Sequence, residues 1–331
     1  MASVLIGSIP GWEETGQDRV EAGFGPKWGA RTLVGGIFRL PRERARVSQL
    51  IDDLEVQIFH LQFKREQIGF TGLLSRRAPV VWTEHGTFPE GVKGAILALG
   101  YRLAARRVSA IVCVSERVAA SVRKVVGSGP RVEVIRNAVD TSILRPPTEA
   151  EKLGARESLL IPEGMPVMLW IGRLHKDKLP GIAISLGSAW RGIVIVAGDG
   201  EMYDELRRST DVLAPNVRLM GHVGDPSILY RAADVMVFTS TGAGEGFPTT
   251  LIEAAAHGLP VLTNAQSGFG AMVQAAGGAV LPTDSAAEDW IASAERIINS
   301  DSSSLARNWS LSYDIEDWVN AHEVIFESVR S

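Results

Sequence analysis

Residues 242–262, GAGEGFPTTLIEAAAHGLPVL, place two glutamates eight positions apart on either side of a predicted helix start. Glu245 lies in a glycine-rich run that is not helical. Glu253 lies inside a short helix predicted to begin near Pro248, because proline suits the first helical position. On a helical wheel Thr249, Thr250, Glu253 and His257 share the face away from the core, with Glu253 at its exposed edge. A glycine and a proline soon after this segment predict the helix end, and VLTN then predicts a strand.

The N-terminus of this predicted helix lies between the two carboxylates. Free backbone N–H groups and the helix dipole there favour an anion. Eight residues at ~1.5 Å each separate the carboxylates by roughly 12 Å, about the length of a sugar, a diphosphate and a ribose laid end to end. We therefore expect one carboxylate to hold sugar hydroxyls and the other ribose hydroxyls, with pyrophosphate between them. The alternative is that Glu253 is a solvated helix residue and Glu245 an ordinary loop charge.

The whole-chain composition describes a globular protein. Its 331 residues, 45% hydrophobic and 22% charged, exceed the usual size of a single core, so two domains are expected. A net charge of −4 argues against a dedicated nucleic-acid binder. Cys113 is the only cysteine, which excludes a disulfide within the chain and fits a reducing compartment. Without a signal-peptide pattern or a run of 18 apolar residues, we expect a cytoplasmic protein.

Short apolar runs alternate with helical patterns along the chain, which predicts an α/β fold of buried parallel strands and crossover helices. Two Rossmann-like, doubly wound parallel-sheet domains follow from this pattern. A polar, proline-bearing stretch around Pro146 predicts domains at 1–146 and 147–306. Residues 307–331 predict a C-terminal helix that packs back toward the first domain.

Polar residues follow the predicted strands, where open parallel sheets bind their ligands. Arg173 and Lys178 follow the strand VMLWI and suit a diphosphate, since arginine binds two oxygens at once and lysine acts as a point charge. Gly198 and Gly200 in the next such loop permit a tight turn. Tyr203 stands where a dinucleotide fingerprint has its third glycine, so a Rossmann dehydrogenase is disfavoured.

Residues 167–283 resemble the donor-binding domain of retaining GT-B glycosyltransferases of family four. The resemblance is carried by GRLHKDK, AGDGEMYDEL, NVRLMGHV, LYRAADVMVFTS and GEGFPTTLIEAAAHGLPVL, in the family's order and spacing. The last of these matches the family's E-x7-E signature. The resemblance implies a GT-B fold, with two Rossmann-like domains facing a central cleft, and a UDP-, GDP- or dTDP-linked sugar donor.

The same resemblance implies roles for individual residues of this chain. It implies catalytic roles for Glu245, Arg173, Lys178 and His85. It implies donor contacts at Glu253, Gly246, Phe247, Pro248, Thr249, Thr250, Leu251, His222, Val223 and Gly172. In this assignment Glu245 and residues 246–248 meet the sugar, residues 249–251 meet the pyrophosphate with the two cations, Glu253 meets the ribose, and the backbone around His222 meets the base.

The first half of the chain resembles the family less closely. HLQF, VVWTEHG, AIVCVSE and IRNAVD match family strands and loops, and His85 matches the histidine that faces the donor sugar and phosphate. A histidine at a strand end without that role is the alternative. The usual glycine pair and helix after the first strand are missing, so Gly11, Gly16 or residues 23–29 are the candidates for the acceptor-side loop.

The implied activity is transfer of a hexose-type sugar from a nucleotide-diphospho-sugar to an unknown acceptor with retention of configuration. The cations and the helix N-terminus would stabilise charge on the leaving diphosphate. No Asp-x-Asp motif is placed for a divalent cation, so neither a metal nor a cofactor beyond the nucleotide-sugar co-substrate is expected. The alternatives are a nucleotide-sugar epimerase or phosphorylase on the same fold, or a degenerate nucleotide-sugar-binding protein.

Basic residues crowd the first half and suggest peripheral contact with the inner membrane face through a basic amphipathic surface, as in some relatives with lipid acceptors. Ordinary exposed arginines on helix faces are the alternative. The residues concerned are Arg42, Arg44, Arg46, Lys64, Arg65, Arg76, Arg77, Lys93, Arg102, Arg106 and Arg107.

Overall fold

The computed structural model of the chain describes residues 5–6, 19–20, 33–52, 54–89, 91–213 and 216–330. The chain forms two compact units, the first comprising Met1–Ile135 and Ala321–Ser331 and the second Arg136–Asn320. In the described part of the chain each unit is built on a parallel sheet with helical crossovers. The predicted α/β class is therefore confirmed.

The first unit begins with a short parallel pair of strands and continues with a parallel sheet whose strands lie side by side in chain order. Its elements are β1 (Leu5–Ile6), β2 (Arg19–Val20), α1 (Leu33–Asp52), β3 (Phe59–Leu61), α2 (Lys64–Leu74), β4 (Val80–Glu84), α3 (Gly91–Ala105), β5 (Ala110–Cys113), α4 (Glu116–Val126) and β6 (Arg131–Val134). The sheet order is β3-β4-β5-β6. The candidates for the acceptor-side loop, Gly11, Gly16 and residues 23–29, lie outside the described residues.

The second unit contains a parallel sheet in which the order of successive strands reverses at β7. Its elements are α5 (Glu149–Ser158), β7 (Val167–Ile171), α6 (Pro180–Gly187), β8 (Ile193–Ala197), α7 (Tyr203–Leu213), β9 (Val217–Gly221), α8 (Ser227–Ala232), β10 (Val235–Phe238), α9 (Thr249–Ala256), β11 (Val261–Asn264), α10 (Gly270–Ala275), β12 (Ala279–Leu281), α11 (Ala287–Ile298), α12 (Ser302–Ser310) and α13 (Ile315–Arg330), whose residues from 321 onward belong to the first unit. The order β12-β11-β10-β7-β8-β9 makes β7 the neighbour of both β8 and β10. This is a topological switch point, where such sheets bind ligands beyond the carboxyl ends of their strands.

The central strands of the second sheet, β7, β8, β10 and β11, are buried on both faces. Leu169, Ile195 and Met236 belong to the hydrophobic cluster on one side. Met168 and Val194 belong to the cluster on the other side, as the alternation of side chains along a strand requires. The central strands therefore appear in the sequence as continuous apolar runs rather than alternating ones, and these runs predicted them correctly.

The polar stretch around Pro146 lies within the second unit, because the residues before it bond to that unit. Asn137 donates from Nδ2 to the carbonyl oxygen of Phe247 at 2.7 Å. Thr141 donates from its backbone N–H to the carboxylate of Asp314 at 3.2 Å. The segment that follows β6 is thus held by the second unit well before the polar stretch begins.

Candidate active site

The loops after β7, β8 and β9 pack closely through a glycine. Gly198 has a φ of +135°, and a Cβ at this position would lie 1.8 Å from the carbonyl oxygen of Gly172. Its N–H donates to the carbonyl oxygen of Gly221 at 2.7 Å. Only glycine permits this approach. The loops form one surface, and Arg173 is exposed on it directly after Gly172.

The backbone of Lys178 is fixed to the end of β10. The buried hydroxyl of Thr239 donates to the Lys178 carbonyl oxygen at 2.8 Å and accepts from the indole N–H of Trp170 at 2.8 Å. The N–H of Thr241 donates to the carbonyl oxygen of Asp177 at 2.9 Å. The turn after β7 is therefore anchored to the neighbouring strand.

Lys178 and Glu245 form a short ion pair between positions 67 residues apart. Glu245 is only 5% exposed, so its charge depends on such compensation. The hydroxyl of Ser240 also donates to Glu245 Oε1 at 3.2 Å. Asn264 holds Ser240 from both sides, accepting from its N–H at 3.0 Å and donating to its carbonyl oxygen at 2.9 Å. Two residues predicted for the site are thus brought together.

Ser240 and Asn264 were not singled out from the sequence. Each is a fully buried polar residue at the end of an otherwise apolar strand segment, DVMVFTS or VLTN. A polar side chain at that place is the signal that could have identified them, because a buried polar group needs a partner.

Helix α9 begins at Thr249, within one residue of its predicted start. Pro248 is the residue that precedes the first helical turn, rather than the first helical residue, and no side chain caps this end. Thr249 and Thr250 are half-buried, and the N–H of Leu251 donates to the Pro248 carbonyl oxygen at 3.3 Å. Phe247, just before, is buried. This N-terminus opens the helix that carries Glu253.

Glu253 is held by an aromatic residue that the sequence analysis did not identify. The hydroxyl of Tyr230 donates to Glu253 Oε2 at 2.7 Å. Burial raises the pKa of Glu253, and hydrogen bonds from Tyr230 and Thr249 oppose the rise. The Tyr230 ring stacks on His257, with centroids 5.1 Å apart and planes 15° from parallel. His257 was expected on the exposed face with Glu253, but this stacking leaves it only 6% exposed.

The residues expected at the base follow β9. His222 is exposed, whereas Val223 is half-buried and packs against the core of the unit. In the sheet, β9 is separated from β10 by β8 and β7. Gly246 is buried within the loop that precedes α9.

His85 lies in the first unit, directly after β4. Its Nε2 is 3.3 Å from Gln62 Oε1. The protein around it and, secondarily, the charge of Lys64 lower the pKa of His85, although its side chain reaches solvent. Lys64 pairs with Glu84 at 2.5 Å. A neutral imidazole at neutral pH has one N–H to donate and one lone pair to accept with.

Among the described residues, no group of three or more His, Cys, Asp or Glu side chains is placed to hold a metal ion. The absence of a metal requirement stays a prediction.

Two family models match the chain. Residues 165–300 match a model described as Glycosyl transferases group 1, and residues 10–143 match one described as Glycosyltransferase Family 4. Each range is less than half of the chain. Together they span most of it.

Among curated relatives, the chain is similar to D-inositol 3-phosphate glycosyltransferase of Mycobacterium tuberculosis, with 29% identity over 155 residues. That match covers 43% of this chain and 31% of the relative, so the chain matches about a third of the relative's length.

Solved structures resemble nearly the whole chain. HepE of Anabaena, in complex with UDP and glucose, has a TM-score of 0.78 at 18% identity, covering 96% of this chain and 88% of HepE. Sucrose-phosphate synthase of Thermosynechococcus elongatus has a TM-score of 0.76 at 17% identity, covering 94% and 82%. These likenesses confirm the predicted fold class, with its two Rossmann-like parallel-sheet domains.

Proposed function

We propose that this chain, a GT-B glycosyltransferase by its fold and by the family models that match its two halves, transfers a hexose-type sugar from a nucleotide-diphospho-sugar to an acceptor. The Lys178–Glu245 ion pair at the switch point of the second sheet carries this proposal. It joins a cation suited to phosphate with a carboxylate suited to sugar hydroxyls. Glu253, eight residues further on, supplies the second carboxylate.

In this proposal the diphosphate lies against Arg173, Lys178 and the N-terminus of α9. Lys178 can serve a phosphate and Glu245 together, because an ammonium group carries three donors. Arg173 is exposed and forms no salt bridge within the described ranges. A helix N-terminus adds partial positive charge. Positive charge therefore collects where the donor carries its negative charge.

Glu253 is suited to a ribose. One of its oxygens accepts from Tyr230, and a carboxylate has about four lone-pair sites, so acceptor capacity remains for hydroxyl groups. HepE was solved with UDP and also with UDP-glucose. Its complexes make UDP-glucose the first donor to test on this chain.

The chemistry requires the bond between the anomeric carbon and the diphosphate oxygen to break. Negative charge then develops on the leaving phosphate, where Arg173, Lys178 and the α9 N-terminus stabilise it electrostatically. With retention, the acceptor hydroxyl attacks from the leaving-group face and gives its proton to the departing phosphate. Glu245 holds the sugar. A role for His85 at the donor stays a prediction from the resemblance. No metal is needed in this scheme.

A screen for donors tests the proposal first. Thermal shift of the full chain with UDP-glucose, GDP-mannose and dTDP-glucose should identify a donor, because a ligand that binds only the folded state raises the melting temperature. Release of the nucleoside diphosphate then measures turnover, and the anomeric configuration of the product tests retention. A changed sugar nucleotide formed without acceptor would indicate an epimerase. Donor binding without product would indicate a binding protein.

Matched lysine variants test the site. Lys178→Met should lower turnover by about 100-fold or more, since it removes a charge that stabilises the leaving group. Lys176→Met is the control, because Lys176 is exposed in the same short turn. Glu245→Ala should lower turnover to a similar degree while the fold persists. Equal turnover in the two lysine variants would remove Lys178 from the mechanism.

The proposal also includes a cellular location. Within the described ranges, no helix is both long enough and apolar enough to cross a bilayer. A cytoplasmic location remains part of this proposal, and fractionation of cells that express the chain tests it.

A further inference from the structure

Helix α3 of the first unit presents a row of large apolar side chains to solvent. Val92 is 78% exposed, Ile96 63%, Leu99 61% and Leu103 52%. Their spacing of four, three and four residues aligns them along one side of the helix. Contiguous exposed apolar surface of this kind marks an interaction site.

The opposite side of α3 fixes this orientation. Tyr101 is fully buried, and its ring lies 4.6 Å from Trp82 and 4.9 Å from Phe88 between centroids. Ala105 is also buried. The helix cannot turn its apolar row inward without removing Tyr101 from the core. The row therefore faces outward as a fixed feature of the fold.

Positive charge flanks the row. Arg102 and Arg106 are exposed, within one helical turn of Leu99 and Leu103. The sequence from 91 to 115 contains no acidic residue. By sequence the first unit carries 20 Lys and Arg against 15 Asp and Glu, whereas the second carries 14 against 23. The apolar row thus belongs to the cationic unit.

In the part of the chain that the structure describes, only some of the basic residues named from the sequence are both exposed and outside salt bridges. Several basic residues of that surface form salt bridges within the first unit: Lys64 with Glu84, Arg65 with Glu43, and Arg77 with Asp52. Of these, Arg65 is buried. Arg102 and Arg106 remain at the surface beside the apolar row.

We infer that α3 docks on a bilayer that carries anionic phospholipid. The apolar row would lie at the boundary between headgroups and acyl chains, with Arg102 and Arg106 among the anionic headgroups. A second copy of the chain would bring two acid-free, cationic helices together, which like-charge repulsion disfavours. An anionic bilayer complements both the apolar row and its charge. This inference stands on α3 alone and does not depend on the donor site.

Sedimentation with vesicles tests the docking. The full chain should bind vesicles made from equal amounts of phosphatidylcholine and phosphatidylglycerol. It should bind vesicles of phosphatidylcholine alone more weakly. Added salt should weaken binding to the anionic vesicles, because it screens the attraction. Equal binding to both vesicle types, or to neither, overturns the inference.

Surface variants locate the docking face. Leu99→Glu should lower the partition coefficient on anionic vesicles by about ten-fold or more, since a charge then replaces an inserted apolar group. Val324→Glu is the matched control, because Val324 is also 61% exposed, on α13 in the same unit. Arg102→Gln should lower the coefficient about five-fold. Donor turnover without vesicles should not change in any of them.

Three results contradict this placement. Binding of Leu99→Glu at the wild-type level excludes α3 as the docking face, and an equal loss in Val324→Glu makes the effect unspecific. If light scattering shows a dimer that Leu99→Glu dissociates while vesicles bind neither protein, the row is a self-contact and the inference is wrong.

Discussion

Replacing Tyr230 with phenylalanine tests whether Glu253 is positioned for a ribose. The Tyr230 hydroxyl donates to the Glu253 carboxylate at 2.7 Å, and the ring stacks on His257. Phenylalanine keeps the ring and its packing and removes only the hydroxyl. The variant therefore isolates one hydrogen bond to the carboxylate.

The size of the effect follows from that bond. A hydrogen bond to a charged group contributes about 1.5–3 kcal/mol. Its loss removes one of the two bonds that oppose the burial-driven rise in the pKa of Glu253, so this pKa rises further. The carboxylate also loses orientation. If a loss near the lower end of this range, about 1.4 kcal/mol, reaches the ribose contact, affinity for UDP falls about ten-fold.

Calorimetry with two nucleotides separates this effect from general damage. Tyr230→Phe should bind UDP about ten-fold more weakly than wild type and bind 2′,3′-dideoxy-UDP almost equally, since the latter offers no hydroxyl to Glu253. Tyr101→Phe removes another buried phenol hydroxyl, in the first unit, and should leave both affinities unchanged. An unaltered ratio of the two affinities in Tyr230→Phe would refute the assignment of Glu253 to the ribose.

Three further predictions concern the site and the cores. Ser240→Ala should lower kcat for donor turnover about ten-fold with little change in KM, because Glu245 loses an orienting bond; a raised KM at constant kcat would oppose this. Gly198→Ala should lower the free energy of unfolding by at least about 2 kcal/mol, since its Cβ meets a carbonyl oxygen, whereas Gly181→Ala has open space and should not destabilise. Burial lowers the pKa of His60 to about 4. The unfolded chain binds that proton near pH 6.5, so stability falls as the pH drops from about 6.5 to 4. In urea unfolding, the wild type should lose about 2 kcal/mol of its free energy of unfolding between pH 7 and pH 5, and His60→Gln should not show this loss.

The fold was predictable where burial on both faces imposes a long apolar run. The strands VMLWI, IVIVA and VMVF have that character because helices cover both sides of the sheet. Strand β12 was missed. It spans only Ala279–Leu281, is only partly buried, and pairs on one edge with β11 alone. Three residues after a glycine pair resemble a loop as closely as a strand.

The site was predictable in its residue types but not in its contacts. Lys178 and Glu245 each had a recognisable place after a strand, yet their pairing depends on β7 lying beside β10, and local periodicity does not encode that neighbour relation. The role of Tyr230 was hidden for the same reason. A helical wheel placed His257 at the surface because it shows only the geometry of α9, whereas the covering ring comes from α8.

The most direct test is calorimetric titration of UDP into the wild-type chain, the double variant Arg173→Gln, Lys178→Met, and the control Lys176→Met. Wild type and control should bind UDP with equal affinity. The double variant should bind about 100-fold more weakly or worse, since it loses two charge-assisted contacts to the diphosphate. Equal affinity in all three proteins, or no binding of UDP, GDP or dTDP to the wild type, would contradict a nucleoside-diphosphate site at the switch point of the second sheet.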